Sequence, residues 1–198
     1  MSIPEVELAG CRASHRRLDE AIAGLTDEQA RQPSRLPGWT VGHVLTHLAR
    51  NADSVVRRLE AAARGEVVDQ YVGGREGRAA DIEAGAGRPA AELLDDVRAS
   101  SARCDEACAV VAPEVWERPT RGLGGDLSPA ASLAFSRWRE VEVHHVDLGL
   151  GYEPSSWPAE LVERWLPHEL GRLPGRTEPA ALLAWTLGRG EAPSLADW

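Results

Sequence analysis

Apolar side chains recur every three or four positions over several long segments of the chain, which is the spacing of amphipathic helices. The pattern predicts a first helix over residues 5–31 and a second helix over residues 41–64. Thr40 is a residue type that caps helix N-termini, and Gly65 follows the second helix. The segment 33–39 is rich in Pro and Gly and predicts the loop between these helices.

Two further helices are predicted in the middle of the chain. One spans residues 89–111, and the other follows Pro129 and ends near Gly149. The connection 65–89 is rich in Gly and charge, and we expect one helical turn in it near residues 78–84. Four helices with long connections predict a mainly α protein built as a four-helix bundle.

The character of the sequence changes after Tyr152. Residues 153–175 are rich in Pro and Trp, and residues 178–190 predict one more helix. The segment 153–198 is too short for an independent core, so we expect it to pack against the bundle. The predicted organisation is a bundle domain at residues 1–152 followed by a short C-terminal segment.

Composition excludes several classes of function. The 198 residues carry a formal charge of -9, which disfavours general binding to nucleic acid or to an anionic membrane. No apolar run approaches the roughly 20 residues that span a bilayer, and the N-terminus lacks a secretory pattern. We therefore expect a cytoplasmic protein whose partners are small molecules, present as a monomer or weak dimer.

The reactive side chains narrow the chemistry further. The sequence contains no lysine, so Schiff-base mechanisms are excluded. Three cysteines, Cys11, Cys104 and Cys108, do not form a disulfide pattern, and the last two are interpreted as core residues. No phosphate-binding loop or nucleophile elbow is present.

Histidines occur in two clusters on predicted helices. His43 and His47 lie in TVGHVLTHLARN, and His144 lies in RWREVEVHHVDLG four positions after Glu140. The i, i+4 spacing puts Glu140 and His144 on one face of a helix, one turn apart. His47 shares the apolar stripe of its helix and is expected to face inward. Two histidines and one glutamate with an open position are a known catalytic zinc arrangement.

Simpler interpretations stay open at this point. A Glu–His pair at i, i+4 is common on helix surfaces without any metal. Asp147 is a candidate partner for His144. Six further side chains have structural interpretations: His145 and Glu142 as solvent-facing groups or contacts to the C-terminal segment, His15 and His168 as structural or surface groups, and Trp39 and Trp138 as pocket walls or core.

Three segments resemble one known family. They are LPGWTVGHVLTHLARNA at 36–52, REVEVHHVDLG at 139–149 and LGRG at 187–190. Together they resemble the mycothiol-dependent maleylpyruvate isomerase family, whose bundle belongs to the wider DinB-like metalloenzyme group. The resemblance implies a DinB-like four-helix bundle with a C-terminal α/β domain, which is shortened here and whose strands are expected to be missing.

The same resemblance implies roles for five side chains. It makes His47, Glu140 and His144 the metal ligands. It makes Arg189 a catalytic arginine near the active site, and Arg78, after the Gly-rich connection, a cofactor-binding residue. The implied cofactors are mycothiol and a divalent ion, of which zinc suits the ligand set best.

The activity implied by the resemblance is isomerisation of an unsaturated dicarboxylate. A thiolate adds to the cis double bond of a maleylpyruvate-like substrate, the new single bond rotates, and loss of the thiol gives the trans isomer. Three alternatives stay open: a mycothiol S-transferase acting on an electrophile, a metal hydrolase that uses bound water, and a non-catalytic bundle that binds a metal or a small molecule. In the last case His43 would close the site as a fourth ligand.

Overall fold

The computed structural model describes residues 3–195 and is mainly helical. It divides into two compact units, Met1–Pro154 and Ser155–Trp198. The helices of the first unit are α1 (Glu5–Ile22), α2 (Asp27–Ala30), α3 (Val41–Ala63), α4 (Gly74–Ala86), α5 (Ala90–Val110) and α6 (Ser132–Asp147). The four long helices α1, α3, α5 and α6 form the bundle, as the hydrophobic pattern predicts.

Helix α3 is the centre of the first unit. It packs against α4, α5 and α6, while α1 packs against α5 and α6. Its apolar stripe is almost completely buried, because every neighbouring helix covers part of it. The largest core cluster joins side chains from all four bundle helices, among them Leu18, Ile22, Leu45, Leu48, Leu93, Val97 and Val141.

Two glycines allow helices to approach closely. A Cβ atom on Gly10 would lie 2.5 Å from the ring of Trp138, so α1 and α6 meet at a position that only glycine fits. A Cβ atom on Gly42 would lie 2.2 Å from the carbonyl oxygen of Ala86, which sets the contact between α3 and α4. Trp138 is fully buried, so its interpretation as a core residue is confirmed.

The predicted first helix is interrupted. Helix α1 ends at Ile22, and the short α2 begins after Thr26. Thr26 accepts a hydrogen bond from the backbone N–H of Gln29, and the Gln29 side chain accepts one from the N–H of Thr26. This reciprocal capping box starts a new helix, which the apolar periodicity alone does not reveal.

The long connection before α5 contains more structure than predicted. Instead of a single turn it forms the 13-residue helix α4, which buries Ile82 and Ala86. After α5, a 3-10 helix (Pro113–Glu117) leads into an antiparallel pair of short strands, β1 (Pro119–Arg121) and β2 (Leu127–Pro129). The sequence pattern predicts no element between residues 112 and 127, because three-residue strands carry too little periodicity to detect.

The second unit contains helices and, within residues 155–195, no strand. Its elements are α7 (Ala159–Arg172), a 3-10 helix (Leu173–Gly175) and α8 (Pro179–Thr186). The predicted last helix is confirmed, whereas α7 was not predicted, because the Pro-rich composition of this segment argued against a helix. In the part of the chain that is described, no helix is both long and apolar enough to cross a membrane.

Candidate metal centre

His47, Glu140 and His144 converge at one point inside the bundle. The Nε2 atom of His47 lies 3.0 Å from Oε2 of Glu140 and 3.1 Å from Nε2 of His144. The Nε2 atom of His144 lies 3.5 Å from the same carboxylate oxygen. The His47 side chain is only 3% exposed, against 23% for Glu140 and 13% for His144, so the cluster opens on its α6 side.

Local sequence places each of these groups. Glu140 and His144 are one turn apart on α6, so both side chains lie on the face that meets α3. On α3, Thr40 caps the helix by accepting from the backbone N–H of His43, and the His43 ring accepts from the N–H of Thr40. This capped N-terminus sets the rotation of α3 about its own axis, so that the side chain of His47 points into the bundle.

The spacing and chemistry of these atoms fit a divalent ion. Ligand atoms about 2.1 Å from a tetrahedral zinc ion lie about 3.4 Å from one another, close to the separations seen here. The Nδ1 atom of His144 lies 2.8 Å from Oδ2 of Asp147, which can only accept. In the neutral ring this leaves the Nε2 lone pair of His144 directed at the cluster, as a metal ligand requires.

Burial and hydrogen bonding shift the pKa values of the two imidazoles in opposite directions. Burial lowers the pKa of His47 to about 4, an effect that its hydrogen bond to Glu140 only partly offsets. Burial also opposes charge on His144, but hydrogen bonds to Asp147 and Glu140 outweigh it and raise the pKa of His144 to about 9. For Glu140, burial favours the neutral acid, yet hydrogen bonds from both histidines hold its pKa well below the usual range.

Arg78 lies at the edge of this cluster. Its Nη2 atom is 3.2 Å from Nδ1 of His47, the ring nitrogen that faces away from Glu140. The guanidinium carbon lies 5.8 Å from the ring centroids of both Trp39 and Tyr71. Two aromatic faces therefore hold the charge of Arg78 beside His47. Trp39 also contacts the His47 ring edge-on, with 5.8 Å between centroids.

His43 does not join the three-residue cluster. Its Nδ1 atom lies 2.7 Å from Oγ1 of Thr40, and its Nε2 atom lies 3.3 Å from Oε2 of Glu83. Both ring nitrogens are thus engaged elsewhere, so the closed four-ligand alternative has no support from His43. The expected hydrogen bond between His144 and Asp147 is confirmed.

Arg189 lies in the second unit, just after α8. Its Nη1 atom contacts the carbonyl oxygens of Leu187 and Gly188 at 3.4 and 3.3 Å. Its backbone N–H donates to the carbonyl oxygen of Ala184 at 2.7 Å. These hydrogen bonds supply donors to backbone carbonyl oxygens at the C-terminal end of α8. A cation commonly has this structural role at the end of a helix.

The prediction that His145 and Glu142 could face solvent is wrong. Both are buried, with exposed fractions of 3% and 1%. Glu142 accepts hydrogen bonds from Ser14, Arg17 and Tyr152. The His145 ring stacks on the Tyr152 ring, with centroids 3.8 Å apart. The 3.6-residue helical period turns these two side chains towards α1 rather than towards the metal cluster.

Sequence reasoning missed a second group of metal-type side chains, Cys11, His15 and Asp105. The signal was available, since Cys11 and His15 stand at the same i, i+4 spacing as Glu140 and His144. Nδ1 of His15 lies 3.1 Å from Asp105, but Nε of Arg137 donates to Nε2 of His15 at 3.1 Å. Because the guanidinium cation of Arg137 already contacts His15, these three side chains belong to a buried polar network rather than to a second metal site.

A four-helix bundle that holds two histidines and one glutamate at a single interior point defines a helical protein with a candidate metal centre. The sequence profile described as the mycothiol maleylpyruvate isomerase N-terminal domain matches residues 11–149. The chain belongs to this family. The predicted family and the DinB-like bundle fold are therefore confirmed.

Solved structures show the same fold. A crystal structure of the mycothiol-dependent maleylpyruvate isomerase is 23% identical, covers 98% of this chain and 97% of that chain, and has a TM-score of 0.84. A histidine-to-alanine mutant of that enzyme gives the same values. YfiT from Bacillus subtilis, described as "a probable metal-dependent hydrolase with an unusual four-helix bundle topology", is 17% identical over 81% of this chain and 86% of that chain, with a TM-score of 0.58. No protein of curated function matches the chain.

Proposed function

We propose that this protein is a mycothiol-dependent metalloenzyme that isomerises an unsaturated dicarboxylate of the maleylpyruvate type. The observation that carries the proposal is the cluster of His47, Glu140 and His144, whose ligand atoms lie within 3.5 Å of one another. Membership of the family and the likeness to a solved isomerase support the choice of reaction.

The three side chains would hold one divalent ion, and zinc is our choice because two imidazoles and a carboxylate suit it. When bound, the ion supplies Lewis acidity, which lowers the pKa of a thiol or water that reaches its open position. Exposure of Glu140 and His144 on the α6 side leaves a route for such a group.

The remaining chemistry falls to side chains around the cluster. Arg78 carries a fixed positive charge and has no carboxylate partner in the described part of the chain, so its guanidinium is available to a substrate carboxylate. A catalytic role for Arg189 is part of this proposal and rests on the family resemblance alone. Trp39 contacts the His47 ring edge-on and would limit the access of water to that side of the ring.

In the proposed reaction the mycothiol sulfur forms a C–S bond with one carbon of the cis double bond. The displaced electron pair moves onto the conjugated carbonyl oxygen, which leaves a single bond that can rotate. When the C–S bond breaks, the sulfur leaves with its electron pair and the double bond re-forms as trans. The thiol is regenerated, and the cysteines of the protein take no part.

An open site of three ligands favours catalysis over the non-catalytic alternative. A structural zinc site uses four protein ligands, and His43, the nearest additional histidine on α3, bonds to Thr40 and Glu83 instead. The S-transferase alternative shares the same site and differs only in the release of the thiol adduct. Cytoplasmic location, the monomer or weak dimer, and the domain boundary at residue 152 stay predictions from the sequence.

The deciding experiment measures metal content and then follows conversion of maleylpyruvate to fumarylpyruvate with and without mycothiol. We expect turnover only with both the metal and the thiol, and its loss in Glu140→Gln. Glu83→Gln makes the same change at an exposed carboxylate and serves as the matched control.

Other outcomes select among the alternatives. Turnover that needs no thiol would reject the cofactor assignment and favour chemistry through bound water. Release of a stable mycothiol adduct without isomerisation would favour the transferase. Bound metal with neither activity would favour the non-catalytic bundle.

A further inference from the structure

One face of α3 carries a row of buried polar side chains that starts at the metal cluster. His47, Asn51, Ser54 and Arg58 are spaced four, three and four residues apart, so they lie on one face of the helix. Their exposed fractions are 2%, 3%, 3% and 6%. Burying a polar row of this length inside a bundle destabilises the folded state unless each polar group has a hydrogen-bond partner.

Arg58, at the far end of this row, is poorly paired. Its Nε atom donates to the carbonyl oxygen of Ser54 at 3.1 Å. Its other contacts are long: 3.4 Å to Oγ of Ser54 and 3.5 Å to the carbonyl oxygen of Arg121. Within residues 3–195 no carboxylate pairs with it. A buried guanidinium in such surroundings provides a favourable potential for an anion.

The loop before α4 runs past the end of α3 that carries Arg57 and Arg58. Arg57 donates to the carbonyl oxygen of Asp69, and the side chain of Asp69 lies 3.6 Å from Arg121, whose own carbonyl accepts from Arg58. Tyr71 follows two residues after Asp69. Burial lowers the pKa of Arg58 to about 10, and the nearby Tyr71 and Glu140 offset part of this effect, which agrees with that placement.

Tyr71 also contacts Arg78, the arginine that lies against His47 of the metal cluster. Its ring centroid lies 5.8 Å from the guanidinium carbon of Arg78. The Tyr71 residue is 5% exposed, yet its hydroxyl is buried without a hydrogen-bond partner in the described part of the chain. A buried hydroxyl without a partner destabilises the folded state, which makes such groups rare unless a ligand completes them.

We propose that the hydroxyl of Tyr71 and the guanidinium of Arg58 complete the carboxylate subsite that begins at Arg78. This inference rests on the proposed function, because it assigns one carboxylate of the dicarboxylate substrate to this side of the cluster. In this subsite Arg78 and Arg58 would supply the positive charge, and the hydroxyl of Tyr71 would supply a neutral donor. A site with two cations and one hydroxyl selects an anionic oxygen group over a neutral one.

The test uses Tyr71→Phe in the zinc-loaded protein, with maleate as the probe and calorimetry as the measurement. Phe keeps the ring that holds Arg78 and removes only the hydroxyl. We expect maleate to bind about ten-fold or more weakly, the scale of one hydrogen bond to a charged group. The melting temperature of the ligand-free variant should equal or exceed that of the wild type, because no hydrogen bond is lost. Tyr152→Phe makes the same change at a tyrosine outside the site and should leave maleate affinity unchanged.

If the Tyr71 hydroxyl had only a structural role, its removal would leave the maleate affinity unchanged and lower the melting temperature. Unchanged maleate affinity in Tyr71→Phe, or a clear drop in its melting temperature, would overturn the proposal, and so would a wild type that does not bind maleate. Arg58→Gln, with its zinc content measured, should weaken maleate binding in the same way. None of these measurements needs turnover, so a failed isomerisation assay would reject the proposed function without deciding the subsite.

Discussion

Nη2 of Arg78 lies 3.2 Å from Nδ1 of His47, and a guanidinium can only donate. Nδ1 therefore accepts, and the proton of the neutral His47 ring is on Nε2, where it faces Glu140. A metal ion binds the lone pair of Nε2, so metal binding requires the ring proton to be on Nδ1. That proton would then face the N–H of Arg78, and two hydrogen-bond donors repel each other. Metal binding and the Arg78–His47 hydrogen bond thus compete.

This competition predicts that Arg78→Met raises zinc affinity. We expect about ten-fold tighter binding, because neither the hydrogen bond nor the nearby positive charge opposes the ion. Competition with a calibrated chelator measures it. Arg75→Met, an exposed arginine on the same helix, is the matched control. Equal affinities for the two variants would show that Arg78 does not restrain His47.

Zinc content should distinguish the two histidines of α3. His47→Gln removes a ligand, so we expect the purified protein to lose nearly all its metal, against about one ion per wild-type chain. His43→Gln alters only the capping contacts and the Glu83 pair, so it should retain zinc. Elemental analysis after dialysis gives the result. Loss of metal in both variants would instead point to a closed site with His43 as a ligand.

Asp147 should raise the zinc affinity of the site through its hydrogen bond with His144. Asp147→Asn replaces the carboxylate that accepts from Nδ1 of His144 at 2.8 Å, so the ring becomes a weaker ligand. We expect zinc affinity to fall by about 10- to 100-fold while the fold persists. Asp95→Asn, the same change at an exposed position on α5, should have no effect in the chelator titration. An unchanged affinity in Asp147→Asn would remove Asp147 from the metal centre.

Buried His145 should make the protein acid-sensitive. Burial lowers its pKa to about 4, so between pH 6.5 and 4 the unfolded chain takes up a proton that the folded chain refuses. Stability is therefore full above pH 6.5 and falls as the pH drops, by up to roughly 3 kcal/mol for this one group. His145→Phe keeps the stacking on Tyr152 and should flatten that part of the curve. Urea unfolding of the metal-free proteins from pH 7.5 to 4.5 tests it, and parallel curves for the two proteins would contradict the assignment.

The sequence alone was sufficient for the bundle and for the pairing of Glu140 with His144. Both follow from the 3.6-residue helical period, which fixes the buried face of each helix and brings residues i and i+4 together. The inward direction of His47 follows from the same period. Local rules of this kind need no knowledge of the neighbouring helices.

Only the tertiary structure brought His47 within 3.1 Å of His144, because the phase and approach of α3 and α6 depend on close packing and capping. It also decided that His145 and Glu142 are buried, that α4 is a full helix, and that Tyr71 lies against Arg78. These contacts join residues far apart in the chain. Their geometry depends on how side chains from several elements fill a shared volume, which no local pattern encodes.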